Sequence, residues 1–373
     1  MHGITLTKAP TDWEILQQEN GKASVALKGN FQVHPAAIEV GVERVTPVVR
    51  VMREDDNMTV IPWTNADHFT CNEKFQGEFE VTLEIPAGGP YRIDTSLETK
   101  STVPDLTWLY RGDCVLHLGV GNLFIIAGQS NSAGYSRDFC IDPPSMDVHL
   151  YRNRSKWDIA SHPMNESTFA GSLANEEMGV PGVSPYLAFG KTYGKMTGMP
   201  VGLIQTSLGG SPMERWNPKD GDLYLNMVDK IHQTGGRYAG VLWYQGCSDT
   251  NPGPAEKYLE HFREYVEATR KELGYEIPFF TMQLNRQING INDECWGMVR
   301  DAQARAAKEI PGVSVLTTSN LSLCDGIHNT AQANVALGEK LAKRCAHVLN
   351  GKEEYQPPEL VKVERADEAE RKS

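Results

Sequence analysis

The sequence predicts an α/β protein in which a smaller β-sandwich-like domain precedes a three-layer α/β/α domain with a parallel, doubly wound sheet. The first observation is a change of pattern near residue 119, where alternating apolar and polar runs give way to fully apolar runs separated by stretches of helical length. The second is size, because 373 residues can bury two cores. We therefore assign residues 1–118 to the first domain, 119–351 to the second and 352–373 to a charged tail.

The N-terminal region has the pattern of antiparallel strands. Runs such as Ala36 to Val45 and Phe79 to Ile85 alternate between apolar and polar residues, and clusters of Gly, Pro, Asn and Asp separate them. Such strands bury one face and expose the other, as in a β-sandwich.

The second region shows the alternation of strands and helices that is typical of a parallel sheet. The predicted strands are Leu123 to Ala127, Val201 to Ile204, Gly240 to Leu242, Pro278 to Met282 and Val313 to Thr317. The predicted helices are Pro185 to Met196, Leu223 to His232, Ala255 to Glu272, Met298 to Glu309 and Ala331 to Leu349. In the tail, Glu359 to Glu364 could add one edge strand, and the last ten residues are expected to be solvated.

Charge and hydropathy exclude several kinds of partner. The chain has 36 basic and 48 acidic residues, and its formal charge of −12 argues against nucleic acid and anionic membrane surfaces. No apolar stretch of the sequence reaches the ~20 residues that a membrane-spanning helix requires. The sequence leaves the oligomeric state open.

The cysteines and the N-terminus bear on location. Seven cysteines without CxxC or zinc-like spacing favour free thiols in a reducing compartment. Met1 to Thr5 lacks the basic and apolar regions of a secretory signal, so we expect a cytoplasmic protein, or a secreted one if a leader has been removed. No metal or other cofactor is predicted.

The segment from Leu123 to Gly134 has the pattern of a buried strand that runs into a nucleophile turn. Its apolar run ends in Gly128, Gln129 and Ser130, and the flanking glycines allow the chain to turn from a strand into a helix. Such a turn presents the serine hydroxyl at the carboxyl end of the sheet, where open α/β sheets bind ligands. On its own, the pattern also fits a serine that caps a helix.

Three later segments also follow predicted strands or precede a predicted helix. Gly209 and Gly210 follow one strand, Gln245 follows the next, and Asp325 and His328 lie just before the last helix. A serine, a glycine backbone donor, an amide side chain and an Asp/His pair form the set that acyl transfer by an activated serine requires.

In chain order, these blocks resemble those of one branch of the SGNH (GDSL-like) hydrolases, the sialate O-acetylesterases and acetylxylan esterases. The matching blocks are Gly128-Gln129-Ser130-Asn131, Gly209-Gly210-Ser211-Pro212 with Trp216, Trp243-Tyr244-Gln245-Gly246 and Asp325-x-x-His328. The resemblance extends from Gly121 to Leu349. The chain departs from the usual residues of the family at Ser132, Cys247 and Asn329, where Met, an acidic residue and Pro are common.

The resemblance implies a serine esterase that removes O-acetyl groups from carbohydrates, with acetylated mono- or oligosaccharides as substrates. Ser130 would be the nucleophile, His328 the general base, and Asp325 the residue that orients the imidazole. The expected oxyanion donors are the backbone N–H groups of Ser130 and of Gly209 or Gly210, and the side chain of Gln245.

Further residues are predicted to contact the substrate, namely Gln129, Arg215, Trp216 and Cys247. Arg215 could instead form a surface ion pair, and Trp216 could pack in the core. A sialate substrate would need an arginine for its carboxylate, whereas a neutral xylose-type sugar would not. The negative charge of the chain favours the neutral sugar.

The sequence leaves two other functions open. Cys247 could pair with His328 in a cysteine hydrolase, because a thiolate is the better nucleophile. The chain could also be a carbohydrate-binding protein that keeps the fold without catalysis.

Overall fold

The computed structural model of the chain describes residues 2–39, 41–102 and 109–355. The predicted edge strand from Glu359 to Glu364 lies outside the described residues. The elements of the N-terminal region are β1 (Gly3–Lys8), β2 (Ile15–Gln17), β3 (Lys22–Gln32), α1 (Pro35–Glu39), β4 (Val42–Arg53), β5 (Thr59–Asn65), β6 (His68–Phe69), β7 (Gln76–Pro86) and β8 (Gly88–Ser101). They are followed by β9 (Leu109–Gly128), α2 (Ser130–Ala133), β10 (Val148–Tyr151), β11 (Trp157–Ile159), α3 (Tyr186–Thr197), β12 (Val201–Gln205), α4 (Asp222–Gln233), β13 (Gly240–Tyr244), α5 (Pro254–Leu273), β14 (Phe279–Met282), α6 (Asp293–Glu309), β15 (Val313–Leu316) and α7 (Ala331–Asn350).

The N-terminal region consists of two antiparallel layers that share one core. One layer has the order β1-β3-β7-β6, and the other runs from β5 through β4 and β8 to the first half of β9. Apolar side chains of both layers, such as Leu27 and Val81 in the first and Val49 and Ile93 in the second, pack together. This is the alternation that the sequence predicts for a β-sandwich.

One predicted strand of this region is wrong in its first half. Pro35–Glu39 forms α1, and β4 begins only at Val42. Pro35 suits the first position of a helix because its φ angle is already helical. Gly41, with φ of +87°, then turns the chain into β4, so the alternating pattern does not continue as one strand.

The second region is a three-layer α/β/α structure, as predicted. Its strands have the order β11-β10-β12-β9-β13-β14-β15 and are parallel except for β11. Alternate side chains of β9 face opposite layers: Phe124 and Ile126 pack with α3 and α7, whereas Ile125 and Ala127 pack with α4, α5 and α6. The sequence analysis identified five of these strands but missed β10 and β11.

Strand β9 belongs to both regions. Its first half pairs antiparallel with β8, and its last residues pair in parallel with β12 and β13. The predicted domain boundary between residues 118 and 119 lies within this strand. The turn that follows β9 is therefore anchored in the centre of the parallel sheet and at its topological switch point.

Candidate active site

The turn after β9 depends on two glycines. Gly128 has φ of +129°, and a Cβ atom there would lie 2.3 Å from the carbonyl oxygen of Tyr244. Gly134 has φ of +96° and ends α2, with Ser184 nitrogen 2.9 Å from the position of a Cβ. Both positions therefore exclude larger residues. Ser130 is the first residue of α2, and its backbone N–H has no acceptor among the described residues.

The structure brings the three predicted catalytic residues into one hydrogen-bonded chain. Ser130 Oγ lies 2.9 Å from His328 Nε2, and His328 Nδ1 lies 2.8 Å from Asp325 Oδ2. The other oxygen of Asp325 accepts the backbone N–H groups of Ile327 at 2.9 Å and of His328 at 2.8 Å. The carboxylate thus faces one imidazole nitrogen and the serine hydroxyl faces the other, which is the arrangement that a general base requires.

The environment of Asp325 keeps its side chain ionised. Partial burial raises the pKa of Asp325, but the hydrogen bonds from His328 and from two backbone N–H groups outweigh burial, so the pKa is lowered on balance. Arg137 also lies beside it, with Nε 3.4 Å from Asp325 Oδ2 and a side chain that is 74% exposed. The sequence analysis did not identify Arg137, which belongs to none of the strand-ending blocks.

Asn131 holds the loop that carries the histidine. Its Nδ2 donates to the carbonyl oxygen of Ile327 at 3.1 Å, and its Oδ1 accepts the N–H of Asn329 at 3.1 Å. These two contacts flank His328 on both sides. The ring of Tyr135 stacks against the His328 imidazole, with 5.7 Å between the ring centres.

Two departures from the family's usual residues have clear structural roles. Asn329 is buried, and its Nδ2 donates to Tyr244 Oη at 3.2 Å and to Asn334 Oδ1 at 3.1 Å. Ser132 is also buried, and its Oγ lies 2.6 Å from Tyr186 Oη. Both side chains form hydrogen bonds with other buried residues. Neither contacts the side chains of the Ser130–His328–Asp325 chain, so the departures leave that chain unchanged.

The Gln129 side chain joins the nucleophile turn to the loop after β13. Its Oε1 accepts the backbone N–H of Gly246 at 3.0 Å and of Ser248 at 3.2 Å. Its Nε2 has no acceptor among the described residues. A substrate contact by Gln129 therefore stays a prediction, and only the amide nitrogen is available for it.

The glycine loop, residues 206–210, lies at the end of β12 and is fixed by a buried lysine. Lys230 of α4 donates from Nζ to the carbonyl oxygen of Gln205 at 2.5 Å, to Asn153 Oδ1 at 3.0 Å and to Asn175 Oδ1 at 3.3 Å. All three acceptors are neutral oxygens. Burial lowers the pKa of Lys230 to about 7, against a smaller opposite effect of Asp229.

The same network continues along the glycine loop. Asn175 donates to the carbonyl oxygen of Ser207 at 3.1 Å, and the N–H of Gly209 donates to Glu177 Oε2 at 2.9 Å. Glu177 also accepts hydrogen bonds from Asn165 at 2.8 Å and from the hydroxyl of Tyr135. The network therefore holds residues 205, 207 and 209, and its far end touches the tyrosine that stacks on His328.

These contacts correct the predicted oxyanion hole. Both hydrogens of Gln245 Nε2 are used inside the protein, one on the carbonyl oxygen of Ser211 at 3.1 Å and one on Asp249. Gln245 is thus unavailable as an oxyanion donor in this structure, and the Gly209 N–H is bound to Glu177. The backbone N–H groups of Ser130 and Gly210 remain, because neither has an acceptor among the residues that the structure describes.

Two predicted substrate contacts have structural roles instead. Trp216 is fully buried, packs edge-on against Trp243 with 5.1 Å between ring centres, and donates to Ser211 Oγ. Its prediction as a substrate contact is wrong because it lies in the core. Arg215 forms a two-pronged ion pair with Asp222, at 2.9 and 2.6 Å, so its guanidinium is already occupied by a carboxylate.

Cys247 follows β13 in a short 3-10 turn, Cys247–Asp249. Burial, together with smaller contributions from the nearby carboxylates of Asp249 and Asp325, raises the pKa of the Cys247 thiol to about 12. A thiolate is therefore strongly disfavoured, and the available nitrogen of His328 faces Ser130 rather than this thiol. A substrate contact by Cys247 stays a prediction.

Within the described ranges, no group of three or more His, Cys, Asp or Glu side chains is placed to hold a metal ion. Separately, none of the helices in the described part of the chain is long and apolar enough to span a membrane.

A parallel sheet with a Ser–His–Asp chain at the carboxyl end of its central strand has the geometry of a hydrolase site, one that recurs on several α/β folds. Residues 120–347 match the family model of "Carbohydrate esterase, sialic acid-specific acetylesterase", and the chain belongs to this family. The protein is therefore a carboxylic ester hydrolase of the carbohydrate esterase type.

Similar proteins agree with this assignment. The chain is 26% identical over 245 residues to a protein of Arabidopsis thaliana named "Probable carbohydrate esterase", and the match covers 59% of this chain and 88% of that protein. The crystal structure of the same Arabidopsis thaliana protein superposes on this chain with 25% identity and a TM-score of 0.53, over 61% of this chain and 99% of the other. A carbohydrate acetylesterase from Xanthomonas citri, with 20% identity and a TM-score of 0.54, shares the fold over 94% of this chain and 76% of its own.

Proposed function

We propose that the protein is a serine esterase that removes acetyl groups from carbohydrate hydroxyls through an acetyl-Ser130 intermediate. The observation that carries the proposal is the hydrogen-bonded chain from Ser130 Oγ through His328 to Asp325. The geometry supports no comparable role for Cys247, whose thiol is held protonated by burial.

In the acylation step, Ser130 Oγ attacks the acetyl carbonyl carbon while its proton passes to His328 Nε2. Asp325 stabilises the imidazolium that forms. The oxyanion accepts hydrogen bonds from the backbone N–H groups of Ser130 and Gly210, each worth about 3 kcal/mol in comparable sites. The bond to the sugar oxygen then breaks, and His328 returns the proton to that oxygen.

In the deacylation step, water attacks the acetyl-serine and gives its proton to His328. The tetrahedral intermediate collapses, acetate leaves, and the proton returns to Ser130 Oγ. The overall reaction consumes one water and needs no further reactant.

We propose neutral, xylose-type sugars as the alcohol part of the substrate. Arg215, the arginine expected to bind a sialate carboxylate, is paired with Asp222. The carboxylate of Glu177 lies at the glycine loop, and the chain carries a formal charge of −12. Both negative charges repel an anionic sugar from the site. Arg137 is the exposed cation beside Asp325 and is the residue on which a sialate could depend.

Ser130→Ala tests the nucleophile. We expect hydrolysis of 4-nitrophenyl acetate to fall by at least about 10³-fold, because the residual rate of such variants comes from binding and oxyanion stabilisation alone. The matched control is Cys247→Ser, which should keep most of the activity. A fully active Ser130→Ala variant together with an inactive Cys247→Ser variant would reverse the assignment.

Acetate release from acetylated xylo-oligosaccharides and from O-acetyl sialic acid, measured side by side, tests the substrate. We expect faster release from the neutral sugar. A preference for sialic acid that disappears in Arg137→Ala or Arg215→Ala would overturn the proposal and identify the carboxylate-binding arginine.

A series of 4-nitrophenyl esters tests the acyl part of the substrate. We expect activity to fall sharply from the acetyl to the butyryl ester.

A further inference from the structure

A second cavity with the chemistry of a ligand site lies in the N-terminal region, on the layer formed by β5, β4, β8 and β9. It has a volume of about 460 Å³, and its lining includes Arg50, Trp63, Arg92, Asp94 and Arg111. We call it the arginine cavity. The family assignment covers residues 120–347 and gives it no role.

The strand pattern places the cavity on the face opposite the sandwich core. Val49, Val51 and Ile93 are buried in that core, so their neighbours Arg50 and Asp94 lie on the outer face. Arg50 is directly opposite Asp94 across the β4–β8 pair. The polar face is therefore built from residues in register on adjacent strands rather than from mobile loops.

Asp94 orients two of the arginines without using all of their donors. Its Oδ2 accepts Arg50 Nε at 2.8 Å, and its Oδ1 accepts Arg92 Nε at 2.8 Å. The terminal nitrogens of Arg50 have no acceptor among the described residues, and neither do the guanidinium nitrogens of Arg111. The cavity lining thus contains three guanidinium groups and one carboxylate. This local excess of positive charge contrasts with the formal charge of −12 of the whole chain.

Trp63 forms an aromatic wall of the cavity. The guanidinium carbon of Arg50 lies 4.6 Å from the centre of its ring, a cation–π contact that holds this arginine over the indole. Trp63 remains 37% exposed, which leaves apolar surface beside the guanidinium groups. An aromatic ring next to oriented arginines provides both stacking for a sugar ring and two-pronged hydrogen bonds for a carboxylate.

We propose that the arginine cavity is a second, non-catalytic saccharide site that binds a carboxylate-bearing sugar residue. Arg111 and the terminal nitrogens of Arg50 bind the carboxylate, and Trp63 contacts the sugar ring. Asp94 and Trp63 already orient Arg50, so little side-chain entropy of this arginine is lost on binding. The proposal does not depend on the serine mechanism, because the cavity shares no residue with the Ser130 site.

The test uses the full chain carrying Ser130→Ala, so that hydrolysis does not disturb the binding measurement. Isothermal titration at low salt compares a xylo-oligosaccharide bearing one glucuronic acid residue with the unsubstituted oligosaccharide of the same length. We expect at least about tenfold tighter binding of the acidic sugar, weakening as salt screens the charges. Adding either Arg111→Gln or Trp63→Ala should weaken binding of the acidic sugar at least about tenfold.

Adding Arg305→Gln to the Ser130→Ala chain is the matched control. It removes an exposed arginine of α6 that pairs with Glu309, outside both the arginine cavity and the Ser130 site, and should leave binding of the acidic sugar unchanged. Equal affinity for the two oligosaccharides, or unchanged binding in both Arg111→Gln and Trp63→Ala, would overturn the proposal. Binding of inorganic phosphate as tight as that of the acidic sugar would also overturn it, because the cavity would then recognise charge and not a saccharide.

Discussion

The catalytic site has two sides, the Ser130–His328–Asp325 chain and the glycine loop, and they are built by different means. On one side, Ser130, His328 and Asp325 form a short chain of largely buried side chains, held by Asn131. On the other side, the glycine loop offers only backbone groups, and a buried network from Lys230 to Glu177 fixes their positions.

On the first side the proposed reaction uses side chains, whereas on the second side other residues position backbone groups that act. Reactive side chains act directly, so losing one removes a step of the reaction. The glycine loop has no reactive side chain, and its geometry depends on residues that never meet the substrate. We therefore expect large losses of rate on the first side and smaller losses, confined to kcat, on the second.

Asp325→Asn should have the largest effect of the variants considered in this comparison. An amide at this position favours the wrong imidazole tautomer, and the same change costs about 10⁴-fold in serine proteases. We expect a loss of kcat of about 10³- to 10⁴-fold with 4-nitrophenyl acetate, measured by initial rates at neutral pH. An Asp325→Asn variant with unchanged kcat would remove Asp325 from the mechanism.

Lys230→Met tests whether the buried network that holds the glycine loop affects the rate. Methionine fills a similar volume but cannot donate, so the carbonyl oxygen of Gln205 and Asn153 Oδ1 lose the hydrogen bond from Lys230, while Asn175 Oδ1 keeps only the one from Asn226. Residues 205 and 207 thereby lose an anchor. We expect kcat to fall by about 10-fold with little change in KM, because transition-state contacts are the ones disturbed. Lys340→Met is the control, since Lys340 also donates to a backbone carbonyl, that of Thr317, but belongs to α7. Equal losses in both variants would indicate a general effect on folding.

Glu177→Ala should have a smaller effect than Lys230→Met. It removes the acceptor of the Gly209 N–H and the partner of Tyr135, and we expect a loss of kcat of a few-fold. Glu177→Gln keeps an acceptor oxygen in the same place and should stay near the wild-type rate. If Glu177→Gln loses as much as Glu177→Ala, the negative charge and not the position of the acceptor is what the site requires.

The smallest expected effect is a dependence of stability on pH. Burial lowers the folded-state pKa of Lys230 to about 7 from its ordinary value of 10.5, so between these values the unfolded chain binds more protons than the folded chain. Lys230 therefore adds to the free energy of unfolding as pH rises through this range, by at most about 1.4 kcal/mol per pH unit. Urea unfolding of wild type and Lys230→Met at pH 7.5 and 9 measures the contribution. Identical pH slopes for the two chains would show that Lys230 is not buried as a neutral amine at high pH.

The sequence predicted that Ser130, Asp325 and His328 lie close together, because they belong to short blocks that follow a strand or precede a helix. Apolar runs place those blocks at one edge of the sheet, and Gly128 marks the turn that exposes Ser130. The nucleophile turn and the Asp325–His328 pair therefore followed from local pattern and chain order.

The buried side could not be predicted in the same way. Asn153, Asn165, Asn175 and Glu177 lie in a long segment between β10 and α3 that has no hydrophobic period, and Lys230 occupies an inward position of an otherwise ordinary amphipathic helix. Their contacts exist only after the strands have assembled. The assignment of Gln245 to the oxyanion failed for the same reason. Its hydrogen bond to Ser211 reaches a separate loop, and its hydrogen bond to Asp249 needs the folded turn after β13.

The central claim is that the acetyl group passes through Ser130, and trapping the intermediate tests it most directly. Wild-type protein mixed with excess 4-nitrophenyl acetate and quenched in acid within the first turnovers would be digested and analysed by peptide mass spectrometry. We predict one acetyl group on the peptide that contains Ser130, formed together with a burst of 4-nitrophenol and absent in Ser130→Ala. An acetyl group on the Cys247 peptide, with the Ser130 peptide unmodified, would contradict the account.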